Sequence, residues 1–324
     1  MLPLLPDDLW MFILNFIIPV PQKLLNWIDP EKLDWRMLSG TRGAIELLQM
    51  NPTRINWTWL SRNTDAGDMI ERNPEKICWA GILRNPGAID FLRANLEKVS
   101  KYYELYESNY SNINMWSCIS GNVAAINLLQ ENFEKIDWYY LSMNPAATKL
   151  LQENLDLVNW ETLSINSTEA AIELLRMNPE KIDWSWLSYN PAAIEILKEN
   201  KEKIDWYMLS GNTAAIELLR ENLDRVDWRM LSGNPEAVGI LCENPDRINW
   251  SSLSRNSAAI DLLRENPDRV SWFCTSWNKS AVELLRENQE NINWTNFSMN
   301  ESIFEPDFTL FKTRRSAFLR EMHL

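Results

Sequence analysis

One tryptophan recurs every 22 residues, at Trp184, Trp206, Trp228, Trp250, Trp272 and Trp294, and the register also holds from Trp35 to Trp79 and from Trp116 to Trp160. A unit this short cannot bury an apolar face alone, so it must stack on its neighbours, and the period restricts the chain to a repeat architecture. With the tryptophan as position zero the unit reads W-x-x-L-S-x-N-x-x-A-I-x-L-L-x-x-N-x-E/D-K/R-I/V-D/N.

The residue before the tryptophan is Asp or Asn in most units, such as Asp137, Asn159, Asp183 and Asp205, and reads as a helix N-cap. Tryptophan and the leucine three places on, Trp184 and Leu187 for example, then share one face of a short helix. Six places after the tryptophan comes Asn, often followed by Pro as in Asn190-Pro191 and Asn234-Pro235, which starts a second helix. Its A-I-x-L-L stripe, Ala215, Ile216, Leu218 and Leu219 in one unit, is amphipathic. The second Asn of the unit, such as Asn178 or Asn222, is expected to end that helix in the left-handed conformation. A leucine-rich repeat has a similar period, but the helical stripe with Pro at its start and the lack of an alternating segment favour helices throughout.

The pattern therefore predicts an all-α fold, an elongated α-solenoid of short helix-turn-helix repeats of 22 residues. Thirteen units, one of them degenerate, at helix-packing distances of about 8–10 Å give an open body on the order of 100 Å or more. Residues 1–34 are expected to cap the first repeat face, residues 35–300 to form the array and residues 301–324 to close it with a C-terminal cap. Register fails between Trp79 and Trp116, 37 residues apart, and an irregular unit is expected at about 100–115, with a tyrosine-rich segment from Tyr102 to Asn114 as a bend or contact loop.

Chemistry finds little purchase in this composition. The single histidine is His323, next to the C-terminus, so neither a Ser-His-Asp nor a Cys-His arrangement can form on the repeats, and no phosphate-binding glycine loop occurs. Cys78, Cys118, Cys242 and Cys274 lie at unrelated unit positions and suggest neither zinc nor a disulfide framework. The chain reads as a non-enzyme without cofactor or metal. A basic column three places before the tryptophan, from Lys32 and Arg54 to Arg247 and Arg269, would follow a nucleic-acid backbone in a stacked array. An acidic column beside it, including Glu31, Glu180 and Asp268, makes this a mixed ladder, and with a net charge of −13 no nucleic-acid partner is expected. The apolar run from Leu9 to Ile18 is too short to span a bilayer, and sequons such as Asn56-Trp57-Thr58 follow no secretory signal, so an intracellular location is expected.

Variable positions carry the binding information, because the repeat frame does not dictate them. One, two and five places after the tryptophan stand Trp59, Tyr139, Tyr140, Trp186, Tyr189, Tyr207, Phe273 and Trp277, with methionines such as Met143, Met208 and Met230. Side chains of this kind anchor protein partners, and these eight aromatics form the expected partner-binding set.

The repeated W-x-x-L-S-x-N-P-x-A-I-x-L-L-x-x-N-P-x-K-I-D over about residues 31–300 resembles the 22-residue repeat proteins that large eukaryotic DNA viruses encode. That resemblance implies a viral, non-catalytic repeat protein. Leu5-Pro6-Asp7-Asp8-Leu9, followed by Ile13-Leu14, resembles the opening of an F-box, which implies that Leu5, Pro6, Leu9, Ile13 and Leu14 dock on the adaptor of a cullin ubiquitin ligase. The expected function is a protein-binding or scaffolding repeat protein; a substrate receptor for a host ubiquitin ligase and a structural component of the virion are the alternatives.

Overall fold

The computed structural model describes residues 20–106 and 114–321. Their fold is an all-α repeat solenoid. In the unit of Trp184 the first helix is Trp184–Tyr189, a 3-10 turn Pro191–Ala193 leads into the second helix Ile194–Glu199, and a second 3-10 turn Lys201–Lys203 runs to the next unit. Asp183 accepts a hydrogen bond from the backbone N–H of Trp186, as the N-cap pattern requires. Leu187, Ala193 and Leu197 are fully buried and Ile182 and Ile196 nearly so, which makes one continuous core running from unit to unit. Each leucine removed from water in this way contributes about 1.5–3 kcal/mol.

Neighbouring units are stitched by two polar residues. The serine four places after the tryptophan donates to the tryptophan carbonyl and accepts the N–H of the next unit's N-cap residue; Ser188 does so with Trp184 and Asp205 at 2.7 and 3.0 Å. The first asparagine is buried, caps its own turn, and donates backwards to two carbonyls of the preceding unit. Asn212 bonds Ser188 O at 2.9 Å, Asn190 O at 3.0 Å and the N–H of Ala214 at 2.9 Å. The second asparagine behaves differently from expectation. Asn200 has φ −132° and ψ 50°, outside the left-handed region, and its side chain instead donates to Ile196 O at 2.8 Å. That bond satisfies one of the carbonyls a helix leaves free at its end, so no left-handed residue is needed.

These stitches join first helices, whereas second helices lack them and are linked at the surface by long side chains, as in Arg220 to Glu243 and Arg264 to Glu287. Each unit is consequently a wedge, narrow along the first helices and wide along the second, and stacked wedges curve with the first helices on the concave side. Curvature carries the array through a complete turn. Asp34 N–H donates to Ser298 Oγ at 2.8 Å and Thr41 Oγ1 to Ser298 O at 2.8 Å, the same pair of bonds that joins consecutive units elsewhere. The unit of Trp35 thus follows the unit of Trp294 as if it were next in sequence.

Further contacts clasp the junction. Strand β1 (Gln22–Leu24) pairs antiparallel with β2 (Phe304–Pro306), Trp27 packs on Phe297 at 5.8 Å, and Arg314 of the helix Phe308–Glu321 makes a two-pronged bond to Glu46 at 2.6 Å. The Arg314 guanidinium is raised above its ordinary pKa, first by that hydrogen bond. The expected elongated body with capped ends is therefore replaced by a closed ring. Residues 20–34 and 301–321 join the two ends to each other, because neither end presents an open repeat face to cover.

The irregular segment also differs from expectation. Asn122 donates to Leu83 O at 3.1 Å, the backward stitch of an adjacent unit, so the unit of Trp116 stacks directly on that of Trp79. The helix Leu96–Tyr106 starts in the turn that ends the unit of Trp79, with Val99 buried in the common core, and runs on into an insertion of 15 residues, 37 less the 22 of a unit. It enters where the stitching serine is replaced by Leu83. Among the described residues the ring has twelve units, one for each tryptophan of the series, and closure requires each to turn by about 30°.

Candidate functional site: the concave surface

On each first helix the residues at positions three and four are buried against the second helix, and positions one, two and five lie on the opposite side. First helices form the inner layer, so these positions face the ring axis. All eight aromatics expected from the sequence stand here. Tyr139, Trp186, Tyr189, Tyr207, Phe273 and Trp277 are exposed, each by more than a third of its surface. Trp59 and Tyr140 are half-buried. Tyr140 meets the edge of Tyr139 at 5.2 Å, while Trp59 lies under Arg62 at 5.4 Å.

Small residues make room for the rings. A Cβ on Gly211 would lie 2.8 Å from Tyr189 Cε2 and 3.0 Å from Met230 Cε, so the tyrosine of one unit lies across the glycine of the next. Both colliding atoms are side-chain tips, which can swing away without disturbing the backbone. Gly211→Ala is expected to leave the melting temperature within a few degrees, roughly what 0.5 kcal/mol or less produces in a chain of this size, while displacing the Tyr189 ring. Tyrosine ring resonances in the nuclear magnetic resonance spectrum report this, and an unmoved Tyr189 would rule out the packing described.

Charge is distributed unevenly around the same surface. Arg229 and Arg255 occupy it on one side of the closure and Arg36, Arg62 and Arg84 on the other, so closing the ring brings residues from opposite ends of the sequence into one arginine-bearing arc. Arg229 and Arg255 make no ion pair among the described residues. Arg36 lies 3.8 Å from Asp34, and Arg84 donates to Cys118 Sγ at 3.3 Å, the bond that chiefly raises its pKa. Pockets lined by Arg255, Trp277 and Asn278, and by Arg229, Ser251, Ser252, Arg255 and Cys274, share Arg255. From the unit of Trp116 to that of Trp206 the inner positions carry tyrosines, Trp186 and Glu161, and no basic residue.

The basic column three places before the tryptophan has a role that charge counting missed. Each of its nine cations lies over the tryptophan of the preceding unit: Arg54 over Trp35 at 4.8 Å, Lys76 over Trp57 at 5.0 Å, and likewise Lys135, Lys181, Lys203, Arg225, Arg247 and Arg269. Lys32 over Trp294 at 5.2 Å completes the series across the closure. Such pairs contribute about 0.5–1 kcal/mol each at exposed sites. Matching the column to the tryptophan 19 residues earlier was the available signal.

Leu5, Pro6, Leu9, Ile13 and Leu14 lie outside the described residues, as does most of the tyrosine-rich segment after Tyr106. Among the described residues no group of His, Cys, Asp and Glu could hold a metal ion, and no helix is long and apolar enough to cross a membrane.

Fold and surface together define a closed α-solenoid whose candidate site is a concave face of aromatics and arginines. No family model matches the chain, and no curated protein or solved structure compared with it does either.

Proposed function

We propose that the ring is a non-catalytic protein-binding module that holds a partner on its concave surface. The observation that carries this reading is the exposure of Trp186, Tyr189, Tyr207, Phe273 and Trp277 toward the ring axis, at positions where the unit needs no large side chain. Exposed aromatics gathered on one concave face lose little conformational entropy on binding and supply most of the energy at protein interfaces. The resemblance of the unit to viral repeat proteins points the same way, toward binding without chemistry.

The test is affinity capture from lysate with the intact chain and with Trp186→Ala/Tyr189→Ala/Tyr207→Ala, followed by mass spectrometry. Partners retained by the intact chain are expected to fall by tenfold or more with the variant. An unchanged partner set at unchanged yield, with the variant's circular dichroism intact, would remove the concave surface from the binding account.

A further inference from the structure

We infer that the concave surface is bipolar and selects an amphipathic polypeptide segment with acidic residues on one side and apolar residues on the other. The inference rests on the protein-binding reading and names the partner's chemistry.

Closure supplies the geometry. Twelve units at a first-helix spacing of about 8 Å place the helix axes roughly 15 Å from the centre, and a helix with side chains reaches about 5–6 Å inward, leaving a lumen about 20 Å across. That width admits one helix or an extended chain, and it excludes a folded domain.

Charge supplies the orientation. Around the arginine arc the N-cap positions are mostly neutral, with Asn249, Ser271, Asn293 and Asn56, and only Asp227 and Asp34 are acidic. Across the lumen three of the five caps are acidic, Asp137, Asp183 and Asp205 beside Asn114 and Asn159, and Glu161 joins them, on the arc that bears the exposed tyrosines and Trp186. A segment in the lumen meets free guanidinium groups at Arg229 and Arg255, with Phe273 and Trp277 beside them, on one side and aromatic rings amid carboxylates on the other. Carboxylates on one side only of the segment fit both arcs, since they pair with arginine and keep clear of the acidic arc. A single-stranded nucleic acid could stack on the rings, but its evenly charged backbone would meet the acidic arc wherever it turned away from the arginines. The cations aligned over tryptophans are already engaged by their rings and do not offset this.

The experiment is a display selection of random 20-residue peptides on the intact chain, with a fluorescent 20-nucleotide single strand titrated in parallel. Enrichment of sequences with Asp or Glu at helical spacing opposite Leu, Phe or Trp is the expected result. A selected peptide should then lose about tenfold in affinity to Arg229→Glu/Arg255→Glu, and regain it when its acidic residues are changed to lysine. Enrichment of apolar sequences without acidic residues, or tighter binding of the oligonucleotide, would overturn the inference. No enrichment at all would overturn it together with the protein-binding reading, and a double variant of native circular dichroism that binds as well as the parent would remove the arginines from it.

Discussion

Replacing Asn212 by alanine is expected to lower stability by about 3 kcal/mol, several times the cost of the same change at Asn222 ten residues on. Asn212 is buried and serves three backbone groups, two of them in the preceding unit, so truncation strands Ser188 O and the Ala214 N–H away from water and leaves Asn190 O with only the Ala193 N–H. A buried polar group left without its partner costs about 1–3 kcal/mol, and the carbonyls recover part of this because each can take a second donor. Asn222 is half-buried and serves only Leu218 O, in its own unit, so about 1 kcal/mol is expected there. Urea denaturation of both variants gives the comparison. Equal losses would mean that the backward bonds do not hold consecutive units together.

Deleting residues 1–34 is expected to open the ring, whereas deleting residues 1–19 leaves it closed. The longer deletion removes β1, Trp27, the buried Ile28 and Leu33, Lys32 from over Trp294 and the Asp34 bond to Ser298, and retains the Thr41 bond to Ser298 O and the Arg314 pair with Glu46. Small-angle X-ray scattering should show the maximum dimension rise by on the order of 10 Å or more for the longer deletion, the width of at least one unit interface. Identical profiles for the two deletions would show that Thr41 and Arg314 suffice to keep the ring closed. The distinction matters for any test of adaptor docking through Leu5 to Leu14. Loss of a partner on removing residues 1–34 would conflate a lost dock with an opened ring.

The sequence disclosed the unit well and its assembly poorly, for physical reasons. Period, N-caps and the leucine stripe are local, so Asp183, Leu187, Ala193 and Leu197 could be placed from a single copy. Curvature is a difference of spacing between two layers. It depends on bonds such as Ser188 to Asp205 and Asn212 to Ser188, whose partners lie 17 and 24 residues away, and no single copy records them. The pairing of Gln22–Leu24 with Phe304–Pro306 brings together residues nearly the whole chain apart, in segments too short to show alternation. The aromatic positions were legible because they depart from the repeat. Their gathering with Arg229, Arg255 and Arg36 around one lumen was not, because it depends on closure.

A ring also counts its own parts. An open array can gain or lose a repeat by duplication or deletion at little structural cost, since the new end resembles the old one. Here an added or missing repeat would leave Asp34 and Ser298 misaligned by about 30° of arc, spoiling every bond of the seam at once. Copy number is thereby held by geometry, and a longer stretch of extra chain is admitted as a side branch such as the one that Leu96–Tyr106 leads into. Descendants of this gene should vary in that branch and in the residues facing the axis while keeping a dozen tryptophans.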